Sequence, residues 1–553
     1  MYFAALMSVA AAVRCDTTAF VEWARQGGAT ISPDVALEPP DFSASSLGVF
    51  AQGSLAPGAT VARVPYSLLF SPLWCHHSPD AKAAIALVGA VLGRTGAAHG
   101  GATLNPTEQS ALLLAFETAA GNASYWAPWI RCLPPPTALE TPTVWSEEEL
   151  SELQSSPLRG WVEERRDAMR RSRQRIRAAV ATRAEAWRAA WPPLEQVLSA
   201  TRWEWALSMV FTRGFSVPWG GQGRSVPALV PFGGMLNFDP TGHNVISSTG
   251  ASPTERKYSY FDFSVVGASA ASVVAGAELK AQYGAGKAST ELLLDYGFAY
   301  ADNVADYILL PLAELLVPFL NAARSLRDAL HPALSAVEIA ALRDALSAWG
   351  VHRMQIVLQR AAVGGAPNVT LTKDLLIVAR VVSRAGLWAA GPRPGAGAEA
   401  RCAASTDRDA PGCGTRVAEG GDAGGDADED EDAYDDGDDE LGGMGLRYRL
   451  QHDAARAAEA AQPLRRAAEE GAALRMAADV LEWAAQRYGT TRGEDAAALR
   501  RERDAGAGFG RLASALIVRM SEKELLRAFA AEYRARAAAV GGGAKEQAQS
   551  GVG

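Results

Sequence analysis

Two segments decide how this chain is read: VPFGGMLNFD (Val230–Asp239) and AQYGAGKASTELLLDYGF (Ala281–Phe298). The first turns on Gly233-Gly234 after a strand-like run and sets Asn237 among apolar neighbours. An amide held there must find partners for both its donor and its acceptor, either in neighbouring backbone or in an incoming ligand. The second carries Tyr283 and, 13 residues later, Tyr296, each followed by glycine and flanking a short helix (Ser289–Leu294). A lone tyrosine on a strand is ordinarily core. Two in this setting ask for more than packing.

Before the first segment, residues 201–215 read as a helix with Trp203, Trp205, Met209 and Val210, ending in TRGF. Arg213 stands at its edge, by default a surface or ion-paired arginine. Between the two segments, Lys257–Val274 alternates Tyr258, Tyr260, Phe261 and Phe263 and reads as β-structure. Upstream, Thr17 or Thr18 can cap a helix over 17–29, stopped by Gly27-Gly28. Ser46–Pro65 is broken at Gly53 and Pro57-Gly58, which predicts two small antiparallel strands with tight turns. Residues 81–93 and 106–120 are helical, the second with a cap at Thr107 to Gln109. After Pro134–Pro136 a helical insert begins with Ser146 as N-cap and acids in its first turn, and it is Arg-rich over 159–188. That arginine face reads as solvated surface.

From Ile308 the pattern becomes long amphipathic helices (308–329, 336–349, 351–361, 371–386, 446–488 and 512–539), an all-α module. It is interrupted by residues 391–445, rich in Gly, Ala, Asp and Pro, which predict a disordered loop; the tail after Val540 is expected to be disordered too. The domains expected are a 1–16 extension, 17–130, the 131–200 insert, 201–307, the helical 308–540 and the 541–553 tail.

At 553 residues the chain is long enough for two or three domains, and a hydrophobic fraction of 48% with 21% charged residues is that of a globular protein. No apolar run reaches the roughly 18 residues of a membrane span. Of the net charge of −9, 12 acidic residues lie between Asp422 and Glu440; without them the remainder carries +3. A near-neutral body gives no argument for nucleic acid. Five scattered cysteines with no CxxC support neither a zinc site nor a disulfide framework and suit a reducing compartment. Cys75-His76-His77 lacks further ligands at usable spacing and reads as a loop. The N-terminus has no basic region, which favours a first helix running toward Phe20 and Trp23 over a leader.

These residues carry a family resemblance. PFGGMLNF (Pro231–Phe238) looks like the PxxDxxNH motif of SET-domain methyltransferases, and KASTELLLDYGF (Lys287–Phe298) resembles the KSN…E…YGF signature of the Rubisco large-subunit lysine methyltransferase branch. LGVFA (Leu47–Ala51) resembles the N-terminal GLGxxA element. SYWAPWIRCLP (Ser124–Pro134) and WSEEEL (Trp145–Leu150) resemble that branch's insert boundary, and TRGF its SRAF. The helical C-terminal part is similar to the branch's substrate-binding domain. The resemblance spans about residues 17–390 and, more weakly, 446–540, and six motifs in order make coincidence a poor account.

The resemblance implies an α+β SET fold of small sheets with a helical insert, followed by an all-α substrate-binding domain. It implies S-adenosyl-L-methionine as cofactor, no metal, and methyl transfer to a side-chain amine of a protein docked on the helical domain. A monomer is expected, with no nucleic acid and no membrane, in the cytoplasm, chloroplast and nucleus being the alternatives. Carried over, Ser46 and Leu47 would bond the cofactor through backbone, Arg213 its carboxylate, and Asn237 its amino group or adenine. Phe238 would add backbone and Phe298 would pack on adenine. Tyr296 would orient acceptor and methyl, Tyr283 is a second channel residue, and Gly234 and Tyr307 would lie beside the acceptor. Four positions depart from the pattern. Phe238 replaces a histidine, Gly234 an acid, Ser289 an asparagine, and Val217 a second arginine, which argues against Rubisco as substrate. A close branch methylates actin histidine but lacks the tyrosine of YGF, so Tyr296 favours lysine. The alternative outside catalysis is an adaptor that keeps the fold and binds a partner through its helices.

Overall fold

The computed structural model describes residues 15–38, 47–96, 103–218, 225–239, 242–251, 258–266, 272–284 and 286–311, short pieces between 314 and 380, then 467–505 and 510–550. Elements run in the order α1 (Thr17–Gln26), β1 (Thr30–Ile31), β2 (Val35–Ala36), β3 (Val49–Ala51), β4 (Thr60–Pro65), α2 (Pro79–Gly96), α3 (Pro106–Ala120) and α4 (Ala127–Ile130). The insert supplies α5 (Glu147–Ser151), α6 (Leu158–Ala181), α7 (Ala184–Ala190) and α8 (Leu194–Val197). Then come α9 (Ala200–Arg213), β5 (Gly214–Pro218), β6 (Ser225–Leu229), β7 (Asn237–Phe238), β8 (Val245–Ala251), β9 (Tyr258–Val265), β10 (Glu278–Ala281) and α10 (Ser289–Tyr296).

Strands order as β1-β4-β9-β8-β10-β3-β2, with β7 added beside β10. The two strands expected in 46–65 exist, but they do not pair with each other: β3 joins β2 and β10, while β4 joins β1 and β9. Burial decides this, because Val49 and Ala51 and then Val61, Ala62 and Val64 each feed one core against different partners. That core closes on the aromatics Phe20, Trp23, Phe70, Trp126 and Trp129.

Local signals explain the helix ends. Asp16, not a threonine, caps α1, its carboxylate accepting the Ala19 N–H at 2.9 Å. Asn105 caps α3 with Glu108 in a reciprocal box, two positions before the stretch expected to do so. Ser146 and Glu149 form the same box on α5, as its sequence predicts. Cys15 and Cys132 form a disulfide, contrary to the reading that no bridge is supported; 117 positions of separation hide such a pair from any spacing argument. Cys75 is a buried thiol pushed up to about 12 by burial, and His77 stacks on Tyr125.

Beyond α10 the helical reading fails in part. Tyr307–Pro311 (β11) pairs with Gln355–Gln359 (β12), inside two segments read as helix, and β13 (Ala361–Val363) pairs with β14 (Ala366–Asn368). The apolar run Ile308–Leu310 is buried throughout, and a short continuous run cannot be told from a helix by periodicity. Helices α11 (Ala467–Gln486), α12 (Arg492–Asp504) and α13 (Arg511–Ser550) follow, with α11 and α12 packed along α13. The last runs through Gly541–Gly543, where an end was expected. The acidic loop 391–445 and residues 336–349 lie outside the described residues. No helix among the described residues is long and apolar enough to cross a membrane.

α13 is joined to the insert by polar contacts. Arg511 reaches Glu140 and Glu149, and Arg519 the backbone of Glu152. Ser156 donates to Glu522 at 2.8 Å. It also meets the helix that carries Tyr296: Leu293 and Leu294 share a cluster with Ala513, Leu516 and Ile517.

Candidate active site

The site begins where α9 gives way to β5. A Cβ on Gly214 would stand 2.4 Å from the Val210 carbonyl oxygen, so only glycine lets the chain leave the helix there. This holds Arg213 at the helix end. One guanidinium nitrogen donates to Thr212 Oγ1 at 2.9 Å, while Nε is buried without a partner. Burial pulls this arginine below its usual range, and no carboxylate among the described residues pairs with it. A shielded cation with an unused donor is costly unless an anion arrives.

Residues 230–239 approach from the other side. Phe232 has φ 76°, a left-handed backbone for a bulky residue, and opens a tight turn over Gly233–Met235. At Gly233 an added Cβ would lie 2.4 Å from the Phe263 ring, and at Gly234 3.4 Å from Arg213. The two glycines thus let backbone lie against an aromatic floor and the arginine stem. The chain then enters β7, parallel to β10, with Asn237 opposite Lys280 and Phe238 opposite Ala281. Asn237 Nδ2 donates to Glu278 Oε1 at 2.6 Å, and Lys280 stands 3.4 Å from the same carboxylate. Gly48, next to Leu47, comes so close that a Cβ would lie 3.0 Å from Glu278 and 3.2 Å from Asn237.

Tyr283 and Tyr296 meet with ring centroids 4.9 Å apart. Phe238 packs on Tyr283 at 5.3 Å and on Phe298 at 5.2 Å, so the second motif closes over the first. The Tyr283 hydroxyl is committed, donating to the Leu236 carbonyl at 2.6 Å. That of Tyr296 reaches only the Tyr283 carbonyl at 3.5 Å, the limit of a useful bond. Burial pushes Tyr283 up to about 12 and Tyr296 further, the latter with help from Asp295, so both phenols stay protonated at neutral pH.

The helix bearing Tyr296 is fixed at both ends. Glu291 accepts the Ala288 N–H at 2.8 Å and Asp306 accepts the Ser289 N–H at 2.6 Å. Gly297, at φ 88°, terminates it; a Cβ there would lie 2.7 Å from the backbone of Glu140. Arg165 of α6 bonds Asp295 at 2.8 Å and the Leu294 carbonyl at 3.1 Å, both buried. Lys287 sits 5.5 Å from the centre of the Tyr296 ring.

Arg213, Gly234, His243, Phe263, Tyr283 and Tyr296 share one cavity of about 410 Å³. No Asp or Glu among the described residues lines it. The structure therefore splits the expected site in two. Arg213, Gly234 and both tyrosines face the cavity. Asn237 and Gly48, beside Leu47, gather on Glu278 and do not line the cavity. Phe298 belongs to the aromatic group but not to the cavity wall, and Tyr307 heads β11 and hydrogen-bonds Glu291, away from the cavity. Ser46 lies outside the described residues. Sequence reasoning missed His243 and Glu278, which stand in no motif, and gave no role to Lys287, which opens the second one; a histidine two residues before a strand is the hint the first offers. No group of three or more metal-ligating side chains occurs among the described residues.

No family model matches the chain, and no curated protein matches it. Solved structures do. The SET domain of LSMT bound to lysine and AdoHcy superposes with a TM-score of 0.58 at 17% identity, covering 95% of this chain and 92% of that one. Rubisco LSMT bound to AdoMet gives 0.55 at 17%, and bound to sinefungin and monomethyllysine 0.54 at 18%, with the same coverage. The likeness is one of fold: this chain adopts the SET-domain architecture, mixed α and β with a helical C-terminal part.

Proposed function

We propose that this SET-fold chain is an S-adenosyl-L-methionine-dependent protein methyltransferase with a lysine amine as acceptor. The observation that carries the reading is the meeting of Tyr283, Tyr296, Arg213 and Gly234 on one cavity, with Asn237 adjacent in the chain to Phe238, whose ring packs on Tyr283. The solved structures of like fold bind AdoMet or AdoHcy, and lysine or methyllysine.

The residues present fit that cofactor. The unused Nε of Arg213 suits its carboxylate in the planar, always-charged way arginine offers. The Asn237–Glu278 pair, with backbone at Leu47 and Gly48 close by, offers an amide and a carboxylate for its amino group or adenine. Phe238 and Phe298 present aromatic faces. Bound there, the cofactor supplies a methyl group already activated on sulfur. What remains for the protein is positioning and exclusion of water. Tyr296, with its hydroxyl almost uncommitted, orients the acceptor nitrogen; Tyr283, tied to Leu236, is the rigid wall against which it lies. A lysine ordinarily protonates near 10.4. The arginine cation and the apolar floor of Phe263 favour the neutral amine that can attack. Substrate protein is read as docking on the helices beyond β11.

Histidine as acceptor is the second reading, favoured by a cavity wall without a carboxylate to hold an ammonium. Calorimetry with the cofactor on wild type and Asn237→Ala tests the class of protein. Binding that weakens about tenfold or more with the substitution fits the reading; no binding to wild type sinks it in favour of the adaptor. Incubation with labelled cofactor and a cell extract, followed by mass spectrometry, identifies the methylated side chain.

A further inference from the structure

We infer that His243 takes the proton that the acceptor side chain must lose before it is methylated. The inference rests on the methyltransferase reading above and adds a residue to it.

A lysine enters as an ammonium, and its N–H bond has to break with the electron pair left on nitrogen. Something must receive the proton. Of the cavity's side chains, Arg213 remains charged, and Tyr283 and Tyr296 already hold their protons well above neutral pH. Serine and threonine hydroxyls are too weakly basic, and no carboxylate is present among the described lining residues. His243 is left, and imidazole is the side chain type that exchanges protons near neutrality.

Its placement is built rather than incidental. The residues on either side are pinned: Gly242 donates to Asp239 at 2.7 Å, and Asn244 donates to the Lys280 carbonyl at 3.0 Å and from its side chain to Glu278 O at 3.0 Å. The imidazole between them forms no hydrogen bond with any described residue, and its Nδ1 is buried without a partner. A ring so held in place by its backbone and so unused by the fold lacks a structural explanation for its polarity. The groups around it are Arg213 from α9, Tyr283 beyond β10 and Tyr296 from α10, with Asp239 and Lys280 flanking its own loop. From the imidazole the proton passes on to solvent, which regenerates the acceptor for the next turnover.

The test uses the full-length protein, labelled S-adenosyl-L-methionine and the substrate found in extract. His243→Ala is expected to turn over about 10²-fold more slowly, with cofactor affinity by calorimetry unchanged and with turnover partly restored by added imidazole. His243→Gln, which keeps polarity and bulk but cannot take a proton, is expected to be equally slow. Wild-type turnover in either variant, or an alanine variant indifferent to imidazole, overturns the role of His243 alone. A wild-type protein that labels nothing overturns the methyltransferase reading and this inference together.

Discussion

Tyr296 and Tyr283 stand close together, yet their hydroxyls differ in how far the fold has used them. The bond from Tyr283 to Leu236 makes it scaffold, whereas the 3.5 Å contact leaves Tyr296 available. Tyr296→Phe is therefore expected to lower kcat by about 10²-fold while cofactor affinity measured by calorimetry stays near wild type. An equal fall in both would make Tyr296 a binding residue. At Gly233 space decides, not chemistry. Gly233→Ala forces a methyl group into the Phe263 ring and is expected to cost roughly 1–3 kcal/mol in urea unfolding. Much of this was legible: a double glycine before an asparagine and a tyrosine before a glycine mark positions where backbone must come close or turn. His243 was not, because a lone histidine carries no spacing, and its unused ring becomes visible only once neighbours are counted.

At the scale of the element, α10 shows how a catalytic-looking side chain is aimed. Its N-terminus is held by Glu291 and Asp306, its C-terminus by Gly297, and its last turn by the Arg165–Asp295 pair from the insert. Both partners of that pair are buried, and without Arg165 the Asp295 carboxylate keeps only the more distant Lys287, at 3.7 Å. Arg165→Ala is expected to destabilise the protein by roughly 3–5 kcal/mol in chemical denaturation, and Arg165→Lys by less. The Arg-rich helix read as solvated surface thus turns several arginines to structural use: Arg165 is buried, Arg166 donates to the Thr143 and Pro142 carbonyls, and Arg175 pairs with buried Glu108. Capping boxes and helices were readable because their signals are local. The pairing of β11 with β12 was not, since Ile308–Leu310 is apolar in every position and the partner strand begins at Gln355. The partners of β3 and β4 were likewise set by the core and not by the turn between them.

Across the whole molecule, a line of buried polar groups joins the helical part to the SET fold. Asp306 accepts from Ser289 at the head of α10 and from Ser521 of α13, and next to Ser521 lies Glu522, which accepts from Ser156 and Tyr488. Burial raises the Glu522 carboxyl to about 7, with Asp306 pushing the same way. The folded chain then holds a proton that the unfolded chain sheds near 4.5, so this group's stabilisation is complete below about 4.5 and is lost as pH rises to about 7. Glu522→Gln, neutral at every pH, is expected to gain in Tm relative to wild type as pH climbs through that window and to hold the gain above it. A constant offset would show that Glu522 does not titrate there.

The same contacts have a consequence for biosynthesis. Ala299, just past the helix that carries Tyr296, donates its N–H to Ser514, 215 positions downstream. A translating ribosome must extrude that whole span before Leu293 and Leu294 find their cover, so the nascent amino-terminal half waits with a greasy flank in the open. Fragments ending near Pro311 are expected to precipitate or to be captured by chaperones, and co-expressing residues 467–550 in trans to rescue their solubility.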